Sequence, residues 1–289
     1  MTLYCVEDEA SLLQEVTMTH NPLRILVIGA HPDDCEVKAG GVAVKWARLG
    51  HVVRLVSLTN GDAGHYQMGG IELAHRRRAE AQAAAKIAGI ESLVLDNHDG
   101  ELTASLFNRR VVTGLIREFR PDLVLTHRPC DYHPDHRATG MLVQDSAYMV
   151  TVPNFHPLVP HLERNPVIGY LSDRFTKPVP FQPDVVVDID DAIETKLDML
   201  HCHASQVYEW IPYNRGRLDE VPHEDQQRRA WLAQRRGARD AQVANRFRQQ
   251  LIVTYGAERG SQVRYAEAFE ISEYGSPLAV EERERLFPF

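Results

Sequence analysis

His31, Asp33 and Asp34 stand within four positions of one another in the stretch Ala30-His31-Pro32-Asp33-Asp34-Cys35-Glu36. One imidazole and two carboxylates at such spacing can do one of two things: hold a metal ion or move protons. A second cluster, His133-Pro134-Asp135-His136, lies much further along the chain. A catalytic zinc site takes three protein ligands and leaves one position open for water. Two histidines and one carboxylate meet that need. His31 and Asp34 are spaced to reach one point from a turn, and His136 would supply the third ligand from a second loop. Pro134 suits the first position of a helix. That puts His133 at the N-cap and His136 one turn inside, with both imidazoles toward one pocket. Asp33 is then free to act as general base on the metal-bound water, whose pKa zinc lowers to about 7. His133 would either stabilise an oxyanion or protonate a leaving amine. Asp135 could hold an imidazole in one tautomer. Together these parts describe a metal-assisted hydrolase of an acyl bond.

Both clusters must be carried to one place, and the flanking patterns say how. The apolar run 25–29 before His31 reads as a buried parallel strand. A helix is expected over 37–49, closed by Gly50. A second strand over 51–58 ends in the turn-forming loop Thr59-Asn60-Gly61-Asp62-Ala63-Gly64. An Ala-rich helix follows over 71–88, then a strand at 93–95 and the loop Asp96-Asn97-His98-Asp99-Gly100. A helix over 106–119 leads to a fourth strand over 123–126, which runs into the second cluster. Beyond it, a helix extends to about Met149, with further strands over 167–171 and 185–188 and a helix over 193–203. The chain is helical again from about Asp225, and 263–271 fits strand or helix equally. Strands alternating with helices imply an α/β, Rossmann-like layered fold, with a mostly parallel sheet and helices on both faces. In such sheets ligands bind beyond the carboxyl ends of the strands, which is where both clusters fall. We divide the chain into a polar leader (1–22) with a short helix around Leu12 and Leu13, a catalytic region (23–206) and a helical extension (207–289) completing the same domain.

Composition narrows the field. The 289 residues are 44% hydrophobic and 25% charged, as in ordinary globular proteins. A net charge of −8 argues against nucleic acid as partner. No apolar run is long enough to span a bilayer. The acidic N-terminal stretch lacks the basic start and apolar core of a signal peptide. Four scattered cysteines without a C-x-x-C pair fit reduced thiols and a cytoplasmic location. Nothing in the composition fixes the oligomeric state, and a homo-oligomer is left open.

Ala30-His31-Pro32-Asp33-Asp34-Cys35-Glu36 with Gly40-Gly41 resembles the A-H-P-D-D-x-E…G-G signature of the PIG-L/LmbE superfamily of metal-dependent N-acetylglucosamine deacetylases. His133-Pro134-Asp135-His136 resembles the family's H-P-D-H signature. The likeness extends through 59–64, Arg77-x-x-Glu80, Asp99-Gly100 and His203-Ala204-Ser205-Gln206, covering most of 23–206. It implies zinc on His31, Asp34 and His136, Asp33 as base, His133 as acid or electrostatic stabiliser, and Asp135 as the support of His133. It further implies that Arg77 and Asp99 contact the sugar of a small amino sugar conjugate. Two departures stand out. Lys38 occupies a position that is often a small residue in the family, bringing a charge near the pocket. Asp131, with Tyr132 beside it, stands where some members carry a Tyr.

Plainer readings exist for each feature. Asp33 and Asp34 could simply cap a helix, and Asp-Gly at 99–100 is common in turns for backbone reasons alone. Arg76, Arg77 and Arg78 share a helix, so only one can face a pocket; we choose Arg77. His201 and His203 point to different helix faces. Gly29, Gly40 and Gly41 do not make a dinucleotide fingerprint. The second cluster tips the balance toward metal. The expected reaction is removal of an N-acetyl group from an N-acetylglucosamine-type sugar. Rivals are an amidase acting on a larger acyl group or a thiol conjugate, and a non-haem Fe(II) oxygenase, since Fe2+ also takes two His and one carboxylate. A purely structural metal is disfavoured, because structural zinc sites are closed.

Overall fold

The computed structural model describes residues 21–289. The leader expected over 1–22, with its short helix, therefore lies outside the described residues apart from Asn21 and Pro22. The chain runs β1 (Arg24–Gly29), α1 (Asp34–Arg48), β2 (Val52–Thr59), α2 (Gly70–Ala88), β3 (Glu91–Asn97), α3 (Leu106–Phe119), β4 (Leu123–Thr126), α4 (Pro134–Met149), β5 (Val167–Leu171) and β6 (Val185–Asp188). It continues with α5 (Ile193–Cys202), a π-helical segment (Ser205–Trp210), α6 (Ile211–Asn214), α7 (Asp225–Arg246), α8 (Arg248–Tyr255), α9 (Ala257–Gln262), β7 (Ala266–Ile271) and α10 (Val280–Leu286).

The strands form one seven-stranded sheet in the order β3-β2-β1-β4-β5-β7-β6. The first five are parallel, and β7 runs antiparallel to both of its neighbours. The α/β layered class read from the sequence is the class observed. β1 and β4 are buried on both faces, which is why they are unbroken apolar runs rather than alternating ones. Ile25, Val27, Leu123 and Leu125 pack on one side with α1 residues Ala39, Val42 and Trp46. Leu26, Ile28 and Val124 pack on the other with Ile116 of α3 and Leu142 of α4.

Three elements differ from expectation. α1 begins at Asp34, three residues early, so Asp34 is inside its first turn. The undecided segment 263–271 contains β7, which inserts between β5 and β6 rather than extending an edge. The extension 207–289 is thus helical with one strand. The π-helical segment had no counterpart in the periodicity.

Gly41 explains part of the Gly-Gly pair. A Cβ there would come within 2.8 Å of Ile189. Close approach also lets Glu267 of β7 accept from the backbone N–H groups of Gly41 and Val42, at 2.9 and 2.8 Å.

Candidate active site

The carboxyl ends of β1, β2, β3 and β4 lie along one edge of the sheet, and the residues beyond them build the site. Gly29 ends β1. A Cβ on it would approach Asp34 Cβ to 2.8 Å, so a glycine lets the first turn of α1 fold back over the strand end. Asp34 Oδ2 accepts from the backbone N–H of Ala30 at 3.1 Å and of His31 at 2.8 Å. The same oxygen lies 3.3 Å from His31 Nδ1 and 3.4 Å from His136 Nε2. Burial works to raise the Asp34 pKa, but the imidazoles of His136 and His127 outweigh it and hold the carboxyl well below the usual range.

Each histidine has its other ring nitrogen engaged. His31 Nε2 is 3.0 Å from Asp99 Oδ1 and 3.3 Å from Asp135 Oδ2. His136 Nδ1 is 3.0 Å from Asp131 Oδ1. With carboxylates on those nitrogens, His31 Nδ1 and His136 Nε2 are the two that turn inward; against the effect of burial the surrounding carboxylates raise both imidazoles, His136 to about 9, so a metal would take the place of the inner protons. Both face Asp34 Oδ2, and a carboxylate on the far nitrogen is what metal-ligating imidazoles ordinarily carry. Among the described residues, three overlapping sets could hold a metal ion: His31, His133 and His136; Asp34, His127 and His136; and His31, Asp99 and Asp135. The donor chemistry therefore suits a divalent cation of the zinc or iron type.

Asp33 stands beside this cluster. It occupies the N-cap of α1 with φ 142°, a conformation side chains rarely adopt, and its carboxylate caps nothing. It meets Arg77 instead: Nη2 donates to Asp33 Oδ1 at 3.2 Å and to the Pro32 carbonyl at 2.9 Å. Burial pushes the Asp33 carboxyl up to about 6 despite that guanidinium. His133 is the N-cap of α4, with Pro134 at the first helical position, as its sequence suggested. Its Nδ1 accepts the Asp135 N–H at 3.2 Å, which leaves the proton on Nε2. Burial and the neighbouring His31 and His136 push its pKa down, so it is neutral at pH 7.

Residues 26–147 match the PIG-L family model, described as GlcNAc-PI de-N-acetylase. A diacetylchitobiose deacetylase of Thermococcus kodakarensis is 34% identical over 207 residues, spanning 66% of this chain and 75% of that protein. The chain belongs to the PIG-L family. The N,N'-diacetylchitobiose deacetylase of Pyrococcus horikoshii, solved with an inhibitor, superposes with a TM-score of 0.66 at 27% identity, covering 86% of this chain and 84% of that one. A relative of another name, the 4-oxalmesaconate hydratase of Pseudomonas putida, is 26% identical over 67% of this chain and 78% of that protein.

Two residues in this PIG-L chain sit differently from expectation. Asp135, expected to support His133, turns its carboxylate to His31 and accepts from the Gly100 and Leu102 N–H groups at 2.6 and 3.2 Å. The two backbone amides of the loop after β3 hold the carboxylate there. Arg77, expected at the sugar, is only 2% exposed, and its guanidinium binds Gly61 O, Pro32 O and Asp33. It was nonetheless the one arginine of three to turn inward. Arg76 binds Glu209 and Arg78 binds Asp96.

One contributor escaped the sequence reading, and others were noted there without their part in the site. His127, directly after β4, has Nε2 3.2 Å from Asp34 Oδ2 and stacks on His136 at 4.0 Å. Its position at a strand end was the available signal. Asp131, noted only as a departure, is the carboxylate that orients His136. His203 and Glu36 form a fully buried pair, Nε2 to Oε1 at 3.2 Å. Nearby, Glu80 accepts from Ser205 N at 2.9 Å and Oγ at 2.5 Å, and Gln206 Nε2 donates to Gly64 O at 3.0 Å. These bonds account for the Arg-x-x-Glu and His-Ala-Ser-Gln stretches.

Proposed function

We propose that this chain is a zinc-dependent N-deacetylase that removes an acetyl group from an N-acetylglucosamine-type sugar conjugate. The observation that carries this reading is the convergence of two imidazole nitrogens on Asp34 Oδ2, at 3.3 and 3.4 Å, with a separate buried carboxylate, Asp33, beside them. His31, Asp34 and His136 are the residues we infer to hold the metal. A divalent cation there would acidify a water and polarise the amide carbonyl. Asp33 takes the proton from that water. A carboxyl raised to about 6 is still ionised at neutral pH, yet basic enough for the task. Arg77 positions Asp33 and stops its charge from being uncompensated. His133 donates its Nε2–H to the charge that develops on the amide oxygen. The water oxygen bonds to the amide carbon, the C–N bond breaks, acetate departs, and the proton held by Asp33 goes to the amine. Asp135 and Asp99 hold His31 in its tautomer. Asp99 Oδ2, which receives no hydrogen bond among the described residues, is available to a sugar hydroxyl, and Arg77 sits behind it at 3.8 Å. We also infer that 23–206 and 207–289 make one domain, because β7 completes the sheet begun by the earlier strands.

The test is amine release from N-acetylglucosamine derivatives by wild type and Asp33→Ala, before and after chelation and zinc return. Release should vanish with chelator and return with zinc. Asp33→Ala should keep its metal and lose activity by about 10²–10⁴-fold. Metal loss in that variant would remove Asp33 from the role of base. The hydratase relative supports a second reading, addition of water to an unsaturated acid on the same scaffold. A zinc-loaded protein that releases no amine from any sugar yet hydrates such an acid would replace the first reading with the second.

A further inference from the structure

His127 is buried in the proposed metal cluster, and two features of the chain hold it there. It follows β4 directly, and β4 pairs with β1 so that Thr126 stands opposite Ile28. That register brings His127 beside the strand end from which Ala30, His31 and Asp34 emerge. From the other side α4 closes on it at Gly140. A Cβ on Gly140 would come within 2.5 Å of the His127 carbonyl oxygen and 3.0 Å of the Arg128 carbonyl carbon. His136 lies one turn before Gly140 on the same helix face. The close approach of α4 therefore lays the His136 ring on the His127 ring, with centroids 4.0 Å apart and planes 9° from parallel.

Proximity alone would make His127 a ligand, since Asp34, His127 and His136 form one of the three candidate sets. The ring planes exclude that. An imidazole binds a metal through a lone pair that lies in its own plane. Two nearly parallel stacked rings send their lone pairs along separate planes, and an ion shared between them would lie well outside both. His31 and His136 are tilted by 55° and can meet at one point. His127 Nε2 is aimed at the carboxylate instead, 3.2 Å from Asp34 Oδ2. The backbone nitrogen of Ala30 lies 3.2 Å from this ring nitrogen and 3.1 Å from the same oxygen. A carboxylate that holds a metal is ionised. A bare Nε2 would set its lone pair against that charge, whereas Nε2–H makes a charge-assisted hydrogen bond with it. The Ala30 amide then keeps Asp34 as its acceptor.

We infer that His127 is a positioning residue and not a metal ligand: it donates Nε2–H to Asp34 Oδ2 and backs the ring of His136. With the Ala30 and His31 amides, that makes three donors fixing the Asp34 carboxylate. The stack stops His136 from swinging away from the ion. One side chain thus sets two of the three inferred ligands. The inference rests on the metal site assigned above and deepens it by separating ligand from support.

The test is zinc affinity, measured by competition with a chromogenic chelator on the full chain as wild type, His127→Gln and His127→Phe. Gln can place an amide N–H where the imidazole Nε2–H stands. Phe keeps the stack and donates nothing. His127→Phe should weaken zinc about 10–100-fold, and His127→Gln should stay within about threefold of wild type. An unchanged affinity in His127→Phe, or an equal loss in both variants, would overturn the role. Where His127→Phe does not fold, the wild type decides. Nitrogen-15 NMR of its labelled histidines should find the His127 proton on Nε2 with zinc bound, and an unprotonated Nε2 sinks the inference. Wild type that binds zinc yet releases no amine ends the deacetylase reading and leaves the role of His127 to the affinities. Wild type that binds no zinc overturns both.

Discussion

At the scale of the residue, the site is a set of proton positions. His136 can offer Nε2 only while Asp131 holds the proton on Nδ1. Asp131→Ala should therefore weaken zinc affinity about 10–100-fold with activity restored by excess zinc, read by metal titration against a competing chelator. His136→Ala should lose the metal outright, and stoichiometric zinc in that variant would remove His136 from the ligand set. Asp33 makes a different prediction, because its backbone is held at φ 142°. Glycine tolerates that conformation and alanine does not. Asp33→Gly and Asp33→Ala should be equally inactive, yet the glycine variant should be more stable by about 1–2 kcal/mol in denaturant melts. His31, Asp33, Asp34, His133 and His136 were readable because their types and spacing fall just past apolar strand runs. His127 was not singled out, and Asp131 was noted only as a departure. Their part depends on which ring nitrogen they meet in space, and spacing along a chain does not carry that.

At the scale of the element, the segment after α5 is tied to α2 and to the loop after β2. The π-helical turn is anchored by Glu209, which accepts from Arg76 at 2.7 and 2.6 Å and lies 2.8 Å from His65 Nε2. Burial works to raise the Glu209 pKa, but the Arg76 and His65 bonds outweigh it and hold the carboxyl below its ordinary value of 4.5. A depressed carboxyl stabilises the fold above that ordinary value, and the contribution fades as pH falls through the folded one. Glu209→Gln should cost about 2 kcal/mol at pH 7. The gap from wild type should close in thermal melts taken at progressively lower pH below about 4. A constant gap at all pH values would mean packing, not charge, ties the segment down. This turn was invisible in the sequence, since six residues are too few to display any helical period. The helix over 106–119 was legible to the residue, because Ser105 caps it and its apolar positions recur on one face.

At the scale of the whole molecule, a buried ionic node joins the early and late halves of the chain. Lys196 of α5 is fully buried, 3.0 Å from Asp240 of α7 and 2.8 Å from Glu267 of β7. Glu267 in turn caps backbone groups in the middle of α1. Lys196→Met would strand two buried carboxylates and should cost about 3–5 kcal/mol. That loss should appear as a Tm lower by roughly 10 °C. The layered class was readable from alternating strands and helices. The place of β7 was not, because the segment 263–271 fits two periods and only a partner on each side makes it a strand. Its place also sets an order of events. β5 and β6 do not pair with each other, and each waits for a strand that emerges from the ribosome long after both. Until then β5 keeps an open edge that invites pairing with other chains. A polypeptide stalled or clipped before Ala266 would hold every residue of the proposed metal cluster and should still be lost to aggregation. The chemistry of this chain is written early, and its solubility is delivered near the end of synthesis.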